Sequence, residues 1–123
     1  GVSIEADLYG RLRTLVSDRV YFDAAPYGTT LPYVTLSQVG GEAVGFLEQV
    51  AVSRKNARWQ VNTWGATRSE VQALARAIED HLVAWTTWQV SAIGAPVGTF
   101  EPDLALFGTL QHFSVWFDDS ASP

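Results

Sequence analysis

The chain has 123 residues, eight basic and thirteen acidic side chains, and a formal net charge of −5. That length fits one domain, large enough to hold a core without covalent cross-links. Cysteine is absent, which excludes disulfides, thiolate metal sites and cysteine nucleophiles, and the acidic balance argues against non-specific affinity for nucleic acid.

Three elements are predicted before the first glycine pair. Ser3 is a suitable N-cap, and apolar residues at helical spacing predict a first helix over residues 3–16. Val20–Phe22 has the composition of a short edge strand. Residues 33–39 alternate between apolar and polar side chains after a proline, which predicts a second strand.

The most informative stretch joins a strand to a helix. Residues 57–64 read ARWQVNTW, and their alternation predicts a strand with one apolar and one polar-aromatic face. Thr67 and Glu70 have the spacing of a capping box, in which the hydroxyl of Thr67 accepts from the amide of Glu70 and the carboxylate of Glu70 accepts from the amide of Thr67. A helix over residues 67–85 follows. Because only two residues connect them, strand and helix must share one core.

The segment 44–56, before this strand, is long for a connection in a small domain. Such connections are usually functional or poorly ordered. It carries Phe46 and Leu47 beside Arg54 and Lys55, and we expect it to form an extended arm or a loop.

Two further strands are predicted in the C-terminal third, over residues 88–93 and 109–117. Gly94, Pro96 and Gly98 interrupt the first of them, so residues 99–108 are expected to form a loop.

The order of helix, strands, helix and strands favours a single α+β domain over residues 1–123, with an antiparallel sheet and two α-helices packed on one of its faces. The other face would display polar and aromatic side chains: Tyr33, Thr35, Arg58, Gln60, Asn62, Trp64, His112, Ser114 and Trp116. A face that contacts only water would not be expected to carry two tryptophans, and tryptophan is favoured at protein interfaces. We therefore predict that this face meets another chain.

No group of residues has the spacing of an active site. His81 and His112 have no partner at metal-ligand spacing. The basic cluster of Arg54, Lys55 and Arg58 fits either a solvated loop tip or a contact with an acidic partner surface. We expect no enzymatic activity, no metal and no cofactor. The sequence has no signal-peptide pattern and no apolar run of ~20 residues, so no membrane association is expected.

Four pieces of the sequence resemble the small tail-completion, or tail-terminator, proteins of long-tailed bacteriophages. They are IEADLYGRLRTLV from Ile4, LPYVTL from Leu31, the strand–turn–helix stretch from Ala57 to Leu82, and QHFSVWF from Gln111. The strand–turn–helix stretch with its TRSE cap is the most specific, and the order and spacing of the four pieces carry the resemblance from Ile4 to Phe117.

The resemblance implies an α+β subunit that assembles into a homo-hexameric ring at the head-proximal end of the tail tube. Such a ring ends tube polymerisation and joins the tail to the head–tail connector protein, and DNA passes through its lumen without specific binding. The implied location is the virion tail, and the host cytoplasm during assembly. The family has no catalytic residues to carry over.

We expect the subunit or partner interface to combine the segment before the central strand, the basic cluster and the polar-aromatic face: Phe46, Leu47, Arg54, Lys55, Arg58, Gln60, Asn62, Trp64, His112 and Trp116. Two other classes of protein stay open as alternatives. A small-molecule or peptide binding module on a similar helix-and-sheet sandwich would need a concave apolar pocket. A small hydrolase would need catalytic residues, and the sequence offers no candidates for them. A hexamer in solution would favour the ring, whereas a strict monomer that binds a metabolite would favour the module.

Overall fold

The computed structural model describes residues 4–40, 54–85 and 88–118. Two helices and six strands follow one another along the chain: α1 (Ile4–Leu12, continued by the 3-10 turn Arg13–Leu15), β1 (Val20–Phe22), β2 (Tyr33–Gln38), β3 (Arg54–Gly65), α2 (Arg68–Val83), β4 (Gln89–Ala92), β5 (Val97–Glu101) and β6 (Leu106–Asp118). The α+β class is confirmed. No helix in these ranges is both long and apolar enough to span a membrane.

The six strands form one sheet in the order β1-β2-β3-β6-β4, with β5 also paired to β6. The long strands β3 and β6 lie at its centre and pair antiparallel along their whole length, from Arg54 opposite Asp118 to Gly65 opposite Phe107. The departure from an antiparallel sheet is the β1–β2 pair, which is parallel. The loop over residues 23–32 returns the chain to the end of the sheet where β1 began, so that β2 runs in the same direction as β1.

The loop that we expected over residues 99–108 is instead a β-hairpin, so this prediction was wrong. Strand β5 and the first residues of β6 pair across it, and the rings of Phe100 and Phe107 pack with their centroids 4.9 Å apart. Strands β4 and β5 follow one another along the same side of β6. Four residues, 93–96, stand there opposite two residues of β6, in the manner of an enlarged β-bulge. Gly94, at φ 74°, supplies the positive φ that this bulge requires.

The core lies on one side of the sheet. Its fully buried members come from three strands and both helices: Val34, Leu36, Ala57, Trp59, Val61, Phe113 and Val115 from the strands, Leu8 and Leu12 from α1, and Val71, Ala75, Ile78 and Leu82 from α2. Residues of both helices join the same hydrophobic cluster with these strand residues. The helices therefore cover one face of the sheet, which we call the inner face, and the opposite face is the outer face.

The junction between β3 and α2 differs in one detail from the predicted capping box. The amide of Glu70 donates to the hydroxyl of Thr67 at 3.1 Å, as expected, but the carboxylate of Glu70 accepts from the amide of Ala66 at 2.9 Å. Gly65 allows this close approach, since a Cβ there would lie 2.8 Å from Cγ1 of the buried Val71. The glycine thus lets the strand end directly against the first turn of the helix.

Other boundaries shift by a few residues. The first helix ends before residue 16 because Ser17 and Asp18 adopt positive φ values of 50° and 68°, which cannot continue a helix. Strand β3 begins at Arg54, so residues 54–56 belong to a strand and not to the expected arm. The rest of that arm, with Phe46 and Leu47, lies outside the described residues, as does Ser3.

Candidate functional site

The outer face gathers the polar and aromatic side chains of the three longest strands. The register places Gln60 between Ser37 and His112, and Asn62 between Thr35 and Leu110. Six predicted interface residues share this face: Arg58, Gln60, Asn62, Trp64, His112 and Trp116. Arg58 is exposed and the other five are partly exposed. The predicted alternation of the two strands is therefore confirmed, and it places these six side chains on one face.

The other four predicted interface residues precede Arg58 in the chain. Phe46 and Leu47 lie outside the described ranges. Arg54 and Lys55 are the first two residues of β3, where the register sets them opposite Asp118 and Phe117. The basic cluster therefore begins inside a strand, and the expectation of a loop tip does not hold for these two positions.

Amide side chains on the outer face bond to their neighbours. Gln60 donates from Nε2 to Oδ1 of Asn62 at 3.0 Å. Asn56 donates from Nδ2 to the hydroxyl of Ser114 at 2.9 Å and to the carbonyl of Val115 at 3.3 Å. Such bonds hold the side chains in fixed positions, which lowers the entropy that a partner must remove on binding.

The outer face carries amide, hydroxyl, imidazole and aromatic side chains. Over the described residues, no three histidine, aspartate or glutamate side chains lie close enough to hold a metal ion. Burial raises the pKa of the Tyr33 hydroxyl above its ordinary value, so this group is neutral at physiological pH. Its ring meets that of Tyr21 edge to face, with the centroids 6.2 Å apart.

The two tryptophans of the outer face have different surroundings. Trp64 stands opposite Gly108, and a Cβ added at Gly108 would lie 2.8 Å from its ring. The ring therefore fills the space over the glycine, and it also lines a cleft of about 310 Å³ with Tyr33 and Leu104. Trp116 lies near the other end of the face, between Asn56 of β3 and Gln89 of β4. The packing role of Trp64 was not predicted from the sequence, because it depends on which residue of β6 lies opposite Trp64.

This packing makes a testable prediction about stability. Gly108→Ala should lower the free energy of unfolding by about 1–3 kcal/mol, because the new methyl group must displace both the ring of Trp64 and the hydroxyl of Thr99. Urea denaturation measures the change. Gly98→Ala in the same hairpin is the matched control, since its methyl group would meet nothing within 4 Å. Equal denaturation midpoints for the two variants would contradict the assigned contact.

A comparison with protein families gives a match along most of the chain. The family model described as Tail completion protein gp17 matches residues 7–118, from within α1 to the end of β6. Among curated proteins, no sequence matches significantly. The family match confirms the resemblance seen in the sequence and indicates a structural role in the phage tail. Because it spans more than half of the chain, this protein belongs to the bacteriophage tail completion protein gp17 family.

Proposed function

We propose that the protein forms a homo-hexameric ring at the head-proximal end of the phage tail tube. The ring ends polymerisation of the tube protein and joins the tail to the head–tail connector protein. The family match supports a structural role in the tail. The hexameric ring, its position on the tail and its partner proteins are what we propose beyond that role.

The observation that carries the proposal is the outer face of the sheet. Both helices pack on the inner face, so the helices leave the aromatic and amide side chains of the outer face without a cover. Partly exposed tryptophan beside ordered polar groups is the composition of a protein interface. A subunit contact of standard size buries about 800 Å² on each partner, and the whole chain has an accessible surface of 7320 Å².

Ring closure adds a requirement on symmetry. Each subunit of a cyclic hexamer offers two different surfaces, one to each neighbour. We propose that the outer face with Arg58 and Trp116 is one of the two, and that Phe46, Leu47, Arg54 and Lys55 contribute contacts to a neighbouring subunit, to the tube or to the connector.

The charge of the chain fits a passage for DNA. A net charge of −5 on each subunit repels the phosphate backbone. DNA would therefore move through the lumen of the ring without being retained by it.

Electron microscopy of phage lysates tests the proposal directly. When the gene is interrupted, we expect overlong tail tubes, or tails without heads beside filled heads without tails. A plasmid copy of the gene should restore joined virions of normal length, which is the control for effects on neighbouring genes. Joined virions of normal length in the absence of the plasmid would contradict the proposal.

A further inference from the structure

Exposed apolar side chains concentrate in β5 and in the residues beside it. Seven large hydrophobic side chains are exposed among the described residues, and four of them lie between positions 93 and 104: Ile93 (36%), Val97 (56%), Phe100 (52%) and Leu104 (50%). Exposed apolar side chains that cluster in one part of a protein commonly mark a site of interaction.

The edge of the sheet at β5 is open, whereas the opposite edge at β1 is partly closed by local hydrogen bonds. Strand β5 pairs with β6 on one side, and its backbone groups on the other side have no hydrogen-bond partner among the described residues. At the other edge, two of the four backbone groups of β1 that point away from β2 have local partners: Val20 N–H donates to the carbonyl of Asp18 at 3.0 Å, and the carbonyl of Phe22 accepts from the amide of Ala24 at 2.8 Å. Sheet edges are usually protected by such devices, so the open edge at β5 is available to another strand.

A groove runs beside this edge, between β5 and α2. Two adjoining cavities, of about 280 and 430 Å³, share Gln72, Gly98 and Thr109. Gly98 leaves the groove wide, because a Cβ there would meet no atom within 4 Å. Thr109 lines its floor and is 3% exposed, and the hydroxyl oxygen of Thr109 has no partner among the described residues. A buried hydroxyl without a partner destabilises a fold, so a polar group that entered the groove would relieve that cost.

The wall formed by α2 is positively charged. Arg68, Gln72 and Arg76 follow at intervals of four residues and therefore lie on one side of the helix. Neither arginine forms an ion pair with a carboxylate of the described residues. Glu79 lies at one end, so the groove holds two arginines against one glutamate in a chain whose net charge is −5. This local charge favours an acidic occupant.

We propose that the groove binds an extended acidic segment of a partner protein, which adds as a further strand to the free edge of β5. Backbone hydrogen bonds to β5 would supply affinity, and alternate side chains would supply specificity. Carboxylates on the helix side would meet Arg68 and Arg76, and apolar side chains on the outer side would cover Val97. The groove lies at the edge and on the helix side of the sheet, so the proposal does not depend on the ring formed through the outer face.

Peptide titration of the purified protein tests this proposal. The probe is a synthetic eight-residue peptide that alternates glutamate and valine, and the matched control peptide alternates lysine and valine. We expect the glutamate peptide to bind and to shift the NMR amide signals of β5, with at least tenfold weaker binding of the lysine peptide. Equal affinity for the two peptides, or no binding of the glutamate peptide at about 1 mM, would overturn the proposal.

Variants of the protein then locate the site. Arg68→Gln with Arg76→Gln should weaken binding of the glutamate peptide at least tenfold, and Arg13→Gln, the same change at an exposed arginine of the 3-10 turn, should not. Gly98→Val should abolish binding, because its side chain fills the groove. Circular dichroism checks that each variant is folded. Unchanged binding by the folded double variant or by the folded Gly98→Val variant would refute the site.

Discussion

Replacing Phe113 with alanine is expected to lower the free energy of unfolding by about 3–5 kcal/mol. Phe113 is 1% exposed and lies in the central strand β6, directly opposite the buried Trp59 of β3. The truncation removes apolar surface from the core and leaves a cavity that the two long strands cannot close without losing their register. Urea denaturation followed by tryptophan fluorescence measures the change.

The neighbouring residue provides the control for this experiment. His112 lies on the outer face of the same strand, opposite Gln60, and is partly exposed. His112→Ala should change the free energy of unfolding by no more than about 0.5 kcal/mol, as surface substitutions usually do. A large loss of stability for His112→Ala with a small one for Phe113→Ala would mean that the two faces have been assigned the wrong way round.

The buried face of β3 and of β6 could be predicted because apolar and polar side chains alternate along each strand with a period of two. Trp59 and Val61 on β3, and Phe113 and Val115 on β6, are apolar at every second position and are buried in the structure. The helix α2 could be predicted for a similar reason. The spacing of Thr67 and Glu70 defined its start, and its apolar residues recur on one side. These signals are local, because each depends only on residues that are close together in the sequence.

The features that the sequence did not predict depend on contacts between distant residues. The hairpin of β5 and β6 was missed because Gly94, Pro96 and Gly98 are typical of a loop, and only pairing with β6 makes them a bulge and a strand. The parallel pairing of β1 was missed because a three-residue strand carries no sign of its direction. The outer face of the candidate site was predicted, whereas the groove beside α2 requires both the hairpin and the helix to be in place.

The packing of Trp64 changes how the interface hypothesis should be tested. Truncating Trp64 and Trp116 together would disturb the contact with Gly108, so a loss of assembly could follow from a loss of stability. Trp116 lies opposite Asn56 and Gln89, not opposite a glycine that its ring must cover. A single substitution at Trp116 therefore separates the interface from the fold.

Trp116→Ala is expected to raise the concentration at which the subunits associate by about 30-fold or more, since a buried interface tryptophan contributes about 2 kcal/mol or more to binding. The effect on a closed ring is larger than on a pair of subunits, because every contact in a cyclic assembly contains the same substitution. Sedimentation velocity over a series of concentrations measures association. A plasmid copy that carries the substitution should fail to restore joined virions to phage with the interrupted gene.

Two controls decide whether a loss of assembly at Trp116 reports on the interface. The isolated Trp116→Ala subunit should unfold within about 1 kcal/mol of the original chain, in keeping with the partial exposure of this residue. Tyr27→Ala removes an aromatic side chain that is 92% exposed and lies in the loop between β1 and β2, and it should leave both association and virion yield unchanged. If Trp116→Ala unfolds the subunit, the residue belongs to the core. If it assembles as well as the Tyr27→Ala protein, the outer face around Trp116 is not the contact between subunits, and the ring must close through other surfaces.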